Sequence, residues 1–553
     1  MTRTLSVLEF DLMDEVTSKK SISPEIVDLM GEGRGLGVLW MFQHSINEGS
    51  SLTDQEALII VTGKFGQAWG IVRSPINHIL DIGLISGTFG PSLRCKGISL
   101  LSIKNKARET GILLIEDDKP KLIFIPDIKG KTTEQTESVL IEKFGSCSNL
   151  LIGSAADKGV RFASAFHEAC IVGKMGFGQV MASKSLKAIV VKNNLQGKKK
   201  KQVQQNSVIE KFSKRELSTL IATHGYLRFL QDSSEVIQSL FDLSTYPSTQ
   251  AKLDWFLGSL NLGPLLDIYD VSTIMEGLKQ CWDAGLDPIA VGSIFGSIAR
   301  LNEIKKASPH PEIRFGSNFG LKFISMIGSN SRFGKELAFG PEQIMTLRGE
   351  KPLTLRGVPL PSIHFGRSPF LALSLASGPM MSSSVVLSTL FLENKIFQKS
   401  WNHWNKTTEW LNWWHKLWIG LECFGIDILS ILSKIDTKIT SVWKIGAKFA
   451  LRQMLNLLFP EKVIQIPKEK ILKVGERTIL LERLFNSRQG FTAEDERLPV
   501  YFFSKRNEGT IERKQFFDTR SKYFQGLLIN RVGMPTLEAL KRLELDRILK
   551  LQF

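Results

Sequence analysis

The chain has little of what builds disulfide or clustered-thiolate chemistry. Five cysteines in 553 residues make no disulfide framework. The nearest pair, Cys147 and Cys170, is too widely spaced for a CxxC-type metal motif. No run of about 18 apolar residues is present, so no membrane span is expected. The N-terminal MTRTLSVLEFDLMDE turns acidic before a signal peptide's apolar core could develop. GxSxG, HExxH, P-loop and EF-hand patterns are missing, and the eight histidines are scattered. These absences exclude the serine-hydrolase elbow, the HExxH zinc site, the nucleotide-binding P-loop and the calcium loop. They leave a reducing cytoplasm as the expected compartment.

Positive charge is what the chain has in excess. Lys and Arg total 71 against 55 Asp and Glu, a net charge of +16. Such a balance suits acidic partners, whether nucleic acid, anionic lipid or an acidic protein, or simply a solvated basic surface. Part of the excess is local, in Lys198 to Lys201. That run lacks the interleaved aromatics of a single-strand nucleic-acid binder.

Hydrophobic patterning divides the chain. Residues 4 to 13 alternate as a strand does, and Ala57 to Thr62, Gly66 to Ser74, Ile98 to Ile103, Gly111 to Glu116 and Lys121 to Ile125 are further strand candidates. Gly31 to Gly37 (GEGRGLG) reads as a loop opening onto the apolar run Val38 to Phe42. Asn193 to Asn206 is polar, charged and aperiodic, which marks a linker. Beyond it, Ser272 to Asp283, Pro288 to Lys305 and Leu537 to Leu549 space apolar residues as helices do. The division is 1–192 rich in strands, 193–206 a basic polar linker, 207–390 a helical second domain and 391–553 a helical third. The fold class is α+β, a two-sheet β-rich domain followed by two mainly helical domains.

In the Trp-rich segment Ser400 to Trp418, Trp410, Leu411, Trp413, Trp414 and Trp418 share one side of a helix. Glu409, Asn412, His415 and Lys416 share the other. A core or subunit-interface helix is expected, with a membrane surface or partner as the alternative.

The stretch from Ile152 to Val191, IGSAADKGVRFASAFHEACIVGKMGFGQVMASKSLKAIVV, carries three glycines as GxxGxG: Gly173, Gly176 and Gly178. Glycine there lets the backbone lie close to a ligand or to another backbone. Read locally, it is a tight strand-to-strand loop. Together with GEGRGLG and Val474 to Pro499 (VGERTILLERLFNSRQGFTAEDERLP), this stretch resembles the aldehyde ferredoxin oxidoreductase family. The resemblance covers nearly the whole chain. It implies a sheet-rich base beneath a tungstopterin, a [4Fe–4S] cluster held by four cysteines, and ferredoxin as electron acceptor.

The same resemblance marks what has changed. Family pterin contacts match Gln67, Leu84, Lys174, Gly176, Leu286 and Asp287. Gln67 stands for an arginine, Leu84 for an asparagine, and Lys174 for an arginine followed by glycine, here Met175. Gly285-Leu286-Asp287 keeps its family form, with Trp282 at a usually polar position nearby. Three cluster cysteines would fall within roughly residues 229 to 253, where there are none. At the fourth, WIGLECF puts Glu422 at the ligand position and Cys423 one residue late. Lys252 stands where the family has a glutamate, and Met381, in the run Ala376 to Met381, where it has a histidine. His364 is the substitute to consider. The resemblance therefore implies a catalytically inactive relative with a structural or regulatory role, paired as a homo- or hetero-oligomer with a related subunit. No cofactor is expected, or else a tungsten or molybdenum pterin without the cluster. Ferredoxin would be a partner only of an active form. An enzyme with an altered site and an anionic-surface binder are the alternatives.

Overall fold

The computed structural model describes residues 5–45, 57–116, 119–192, 249–306, 308–352, 354–360, 369–379, 404–426, 466–503 and 511–551. His364, Met381 and the Lys198–Lys201 run lie outside the described residues.

The N-terminal part is built from two six-stranded mixed sheets. Its elements run β1 (Ser6–Asp11), β2 (Thr17–Ser21), α1 (Pro24–Met30), α2 (Arg34–His44), β3 (Leu58–Thr62), β4 (Ala68–Arg73), β5 (Leu80–Ile85), α3 (Phe89–Cys95), β6 (Leu100–Lys104), β7 (Gly111–Ile115), β8 (Pro120–Phe124), α4 (Thr133–Phe144), β9 (Cys147–Ile152), α5 (Ser154–Asp157), β10 (Ala165–His167), β11 (Cys170–Val172), α6 (Phe177–Ser183) and β12 (Leu186–Lys192). The first sheet has the order β2-β1-β6-β3-β4-β5 and the second β11-β10-β9-β12-β7-β8. Each contains one parallel pair, β1 with β6 and β12 with β7.

Both faces of the first sheet are buried, which is why β3, β4 and β5 read as near-continuous apolar runs. Leu8, Phe10, Leu58, Ile60, Val72 and Ile85 on one face meet Leu113, Ile115, Leu150, Ile152, Ile189 and Val191 of the second sheet. Val7, Ile59, Val61, Trp69 and Ile71 on the other face pack against α2 and the C-terminal helices. The outer face of the second sheet is covered by α4, whose start carries a Thr132–Gln135 capping box.

The helical part contains α7 (Thr249–Leu262), α8 (Val271–Ala284), α9 (Pro288–Glu303), α10 (Arg332–Leu337), α11 (Pro341–Thr346), the hairpin β13 (Thr354–Leu355) and β14 (Val358–Pro359), α12 (Pro369–Ser377), α13 (Trp404–Cys423), α14 (Lys468–Arg488), α15 (Arg513–Gly526), α16 (Leu537–Arg542) and α17 (Leu545–Ile548). Helices α8 and α9 join the core between the sheets, while α12 to α15 join the core on the far side of the first sheet. Among the described residues, no helix is long and apolar enough to cross a membrane.

Four expectations need correction. The GEGRGLG loop ends at Gly33; Arg34 already opens α2, and the run Val38 to Phe42 is helical. The GxxGxG stretch is not a strand-to-strand loop, because α6 stands between β11 and β12. Residues 537–549 do not form one helix: Glu544, at φ 58°, breaks it into α16 and α17. The polar side assigned to the Trp-rich helix faces solvent only in part: Glu409 is exposed, but Asn412 and His415 are buried. Asn412 is 7% exposed and His415 only 1%. Asn412 donates to the Tyr523 carbonyl, and His415 lies between Ser374 Oγ at 2.8 Å and Tyr523 Oη at 2.7 Å. Helix α13 is therefore a core helix, as expected, but packed on more sides than its pattern suggested.

Candidate functional site

The glycine stretch forms where the two sheets meet. A Cβ on Gly83 of β5 would lie 2.3 Å from the Gly173 amide, so the backbones touch there directly. Gly173 has φ +73°, the left-handed region, and a Cβ on it would meet Phe177. The loop that this approach creates points its amides inward. Lys174 and Met175 donate to the Asp81 carboxylate at 3.2 and 3.0 Å. Burial pushes the Asp81 carboxyl up to about 6, against the pull of those amides and of Lys174. The close partner of the glycines is thus another backbone, and the partner of their amides is a protein carboxylate.

The Lys174 side chain reaches across to the helical part. Its ammonium donates to Asp254 at 3.2 Å and lies 3.9 Å from Asp287. Asp254 sits on α7, held by Gln250 at 3.0 Å; Asp287 is the N-cap of α9, accepting from the Ile289 amide at 3.0 Å. Burial opposes the charge, but Asp287, Asp254 and Asp81 together raise the Lys174 pKa above its ordinary value. Beside this group, Phe166, Trp255, Trp282 and Leu286 leave a cavity of only about 10 Å³, barely room for one water.

The other positions singled out from sequence fall as follows. Leu84 is buried in the apolar core, paired in register with Trp69. The Gln67 carbonyl accepts from Gly63, and its Oε1 is buried with no hydrogen-bond partner among the described residues. Gly176, at φ +97°, opens α6 against the Arg161 carbonyl. Leu286 is fully buried and bridges to Ala163. Lys252 lies on α7, but its side chain is outside the described residues. The structure brings Lys174 and Asp287 together and adds Asp254 and Asp81, which the sequence reading missed. The only signal for Asp254 was its place two residues after Lys252.

A second charged group surrounds Glu422. The Arg34 guanidinium donates to Glu422 at 2.7 Å and, through two nitrogens, to Glu482 at 2.7 and 2.9 Å. Trp418 Nε1 donates to the other Glu422 oxygen at 2.8 Å. Arg34 is 2% exposed, Glu422 5% and Glu482 3%. The neighbouring Cys423 contacts Thr478 Oγ1 at 3.2 Å, and burial pushes its thiol up to about 12. The remaining thiols are elsewhere: Cys281, Cys147 and Cys170 each lie in a different apolar cluster from Cys423 and from one another, and Cys95 is exposed. No four of the five converge. Among the described residues, no three His, Cys, Asp or Glu side chains are grouped to hold a metal ion.

The fold and these residues define a class. The N-terminal domain of aldehyde ferredoxin oxidoreductase matches residues 7–193, and its domains 2 and 3 match residues 258–545. The chain belongs to the aldehyde ferredoxin oxidoreductase family. Among its relatives, the tungsten-containing aldehyde ferredoxin oxidoreductase of Pyrococcus furiosus is 22% identical over 85% of this chain and 87% of its own length. The protein of the same description from Pyrococcus abyssi is 24% identical over 60% of this chain, which spans 65% of that relative. A WOR-like subunit of an aliphatic sulfonate oxidoreductase from P. furiosus is 25% identical over 34% of each chain. In fold, the chain is similar to a chain of the active site complex BamBC of benzoyl coenzyme A reductase. The TM-score is 0.73 at 15% identity, over 98% of this chain and 97% of the other.

Proposed function

We propose that this chain is a non-catalytic member of the family, a structural or regulatory partner of a homologous active subunit. One observation carries the reading: the buried cations and inward amides at the matched positions are met by the chain's own carboxylates. Asp81 takes the glycine-loop amides, Asp254 and Asp287 take Lys174, and Glu422 and Glu482 take Arg34. Leu84 and Met175 are buried apolar side chains that cannot donate to an anion. This donor set does not fit an anionic pterin, and the dispersed thiols do not fit a cubane. Two relatives are named as a subunit or part of a complex, which favours a related subunit as partner, in a homo- or hetero-oligomer. Elemental and pterin analysis of the purified protein is the test. A colourless, metal-free protein is expected; near-stoichiometric tungsten or molybdenum with a full iron–sulfur cluster would overturn the reading.

A second reading, an oxidoreductase with an altered site, draws on the Lys174–Asp254–Asp287 group. Buried titratable side chains with shifted pKa values mark functional sites as well as structural ones. Lys174, Lys252, Asp287 and His364 would be its residues. Aldehyde-dependent reduction of a viologen dye by the wild type, abolished in Lys174→Met, would establish it; no reduction would remove it. The anionic-surface reading loses one of its two supports, since α13 is packed in the core.

A further inference from the structure

The charges around Glu422 extend beyond the triad. Glu496 is contacted by Arg483 at 3.1 Å and Arg356 at 3.9 Å, and Glu482 lies within electrostatic reach of Arg356. The set holds three arginines and three glutamates, every one under 10% exposed, so it is neutral as a whole. It spans α2, the β13–β14 hairpin, α13, α14 and the 489–499 connection. Its spare donors are used as well. Arg356 donates to the carbonyls of Ala376 and Gly378, and Arg483 to that of Ser377, closing the C-terminal end of α12. Each unpaired member would be costly so deep in the protein, whereas in a complete set mutual attraction and hydrogen bonding offset much of the desolvation penalty.

We infer that the Glu422 carboxylate is a built-in counter-charge to Arg34 that takes the place of a prosthetic group's thiolate ligand at the junction between the N-terminal sheets and the C-terminal helices, and that the other five members are the frame that receives it. Glu422 is the key member of the network, because it stands where the family resemblance puts a cluster thiolate. The α2 arginine that faces that position is satisfied from within the chain. The inference deepens the cofactor-free reading by naming what holds the emptied position together.

The test is thermal unfolding of the full-length wild type and variants, followed by circular dichroism. Glu422→Ala removes one carboxylate and leaves a space bounded by Arg34 and Trp418. Its melting temperature is expected to fall by roughly 3 to 4 °C. Sodium formate should restore about half of that loss by supplying a carboxylate, and sodium chloride at equal ionic strength should not. In Glu422→Gln the space stays filled; it should be destabilised but insensitive to formate. The double variant Arg34→Met/Glu422→Gln, which leaves two arginines facing two glutamates, should melt above Glu422→Gln. A wild-type melting temperature in Glu422→Ala, equal effects of formate and chloride, or a double variant no better than Glu422→Gln would each overturn the inference. If Glu422→Ala does not fold, the order of the Gln and double variants still decides. Metal found in the wild type would defeat the cofactor-free reading, whereas these melting shifts judge the network itself.

Discussion

At the scale of single residues, His415 and Asp81 make opposite contributions to stability against pH. Burial, then Arg356 and Arg483, lowers the His415 pKa to about 3. An unfolded histidine takes its proton near 6.5. Between those values the unfolded chain binds the extra proton, so stability falls as the medium is acidified, by up to about 1.4 kcal/mol per pH unit. Asp81 titrates near 6 when folded and near 3.9 when unfolded. Over that window the folded chain holds the extra proton, and its contribution falls as pH rises. The two slopes oppose each other from about pH 4 to 6. Asp81→Asn should therefore steepen the loss of stability on acidification across that window, read from urea unfolding at stepped pH. A slope unchanged from wild type would show that the carboxyl titrates normally. Neither effect was legible in the sequence. Lys174 could be singled out from its glycines, but its partners are 80 and 113 residues away in the chain, and only folding brings them within 4 Å. Arg34 was visible inside GEGRGLG, yet nothing local pointed to Glu482, which is 448 residues away.

Elements were more legible than residues, because periodicity reports burial of a face. Strands β1, β3, β4, β6, β7 and β8 fell close to their expected spans and α8 and α9 within a residue or two, whereas β2, β5, β9, β10 and β11 had no expected counterpart. What periodicity could not report was a helix enclosed on several sides. The crossing of α13 over α14 is the clearest case. A Cβ on Gly475 would lie 1.9 Å from the Lys416 carbonyl, and one on Gly420 would lie 2.1 Å from that of Ile471. The two glycines let the helix backbones touch, and Arg34, on α2, joins both helices through its carboxylate partners. Gly475→Ala should force them apart and cost about 1–3 kcal/mol or more, measured by chemical denaturation. Gly490→Ala is a useful contrast. A Cβ there has open space around it, so the cost should come from its φ of +81° alone.

At the scale of the molecule, the boundaries drawn from composition do not delimit separate cores. One apolar cluster runs from Val7 and Ile59 in the first sheet through Leu371 and Trp414 to Ile548. Another joins both sheets to α8 and α9. The N-terminal region therefore presents two large apolar faces that only the helices cover. A fragment of residues 1–192 is expected to aggregate or bind hydrophobic dye. The intact chain should unfold in a single calorimetric transition. A soluble, cooperatively melting fragment would show that the sheets are self-sufficient.

The scattering of the sulfur atoms has a practical corollary. Four thiols are buried in separate apolar surroundings and only Cys95 meets solvent. A maleimide probe should modify the native chain once, at the end of α3, and all five positions only after denaturation. The unaltered polypeptide thus offers one handle for a fluorophore or spin label, from which its approach to another subunit could be followed.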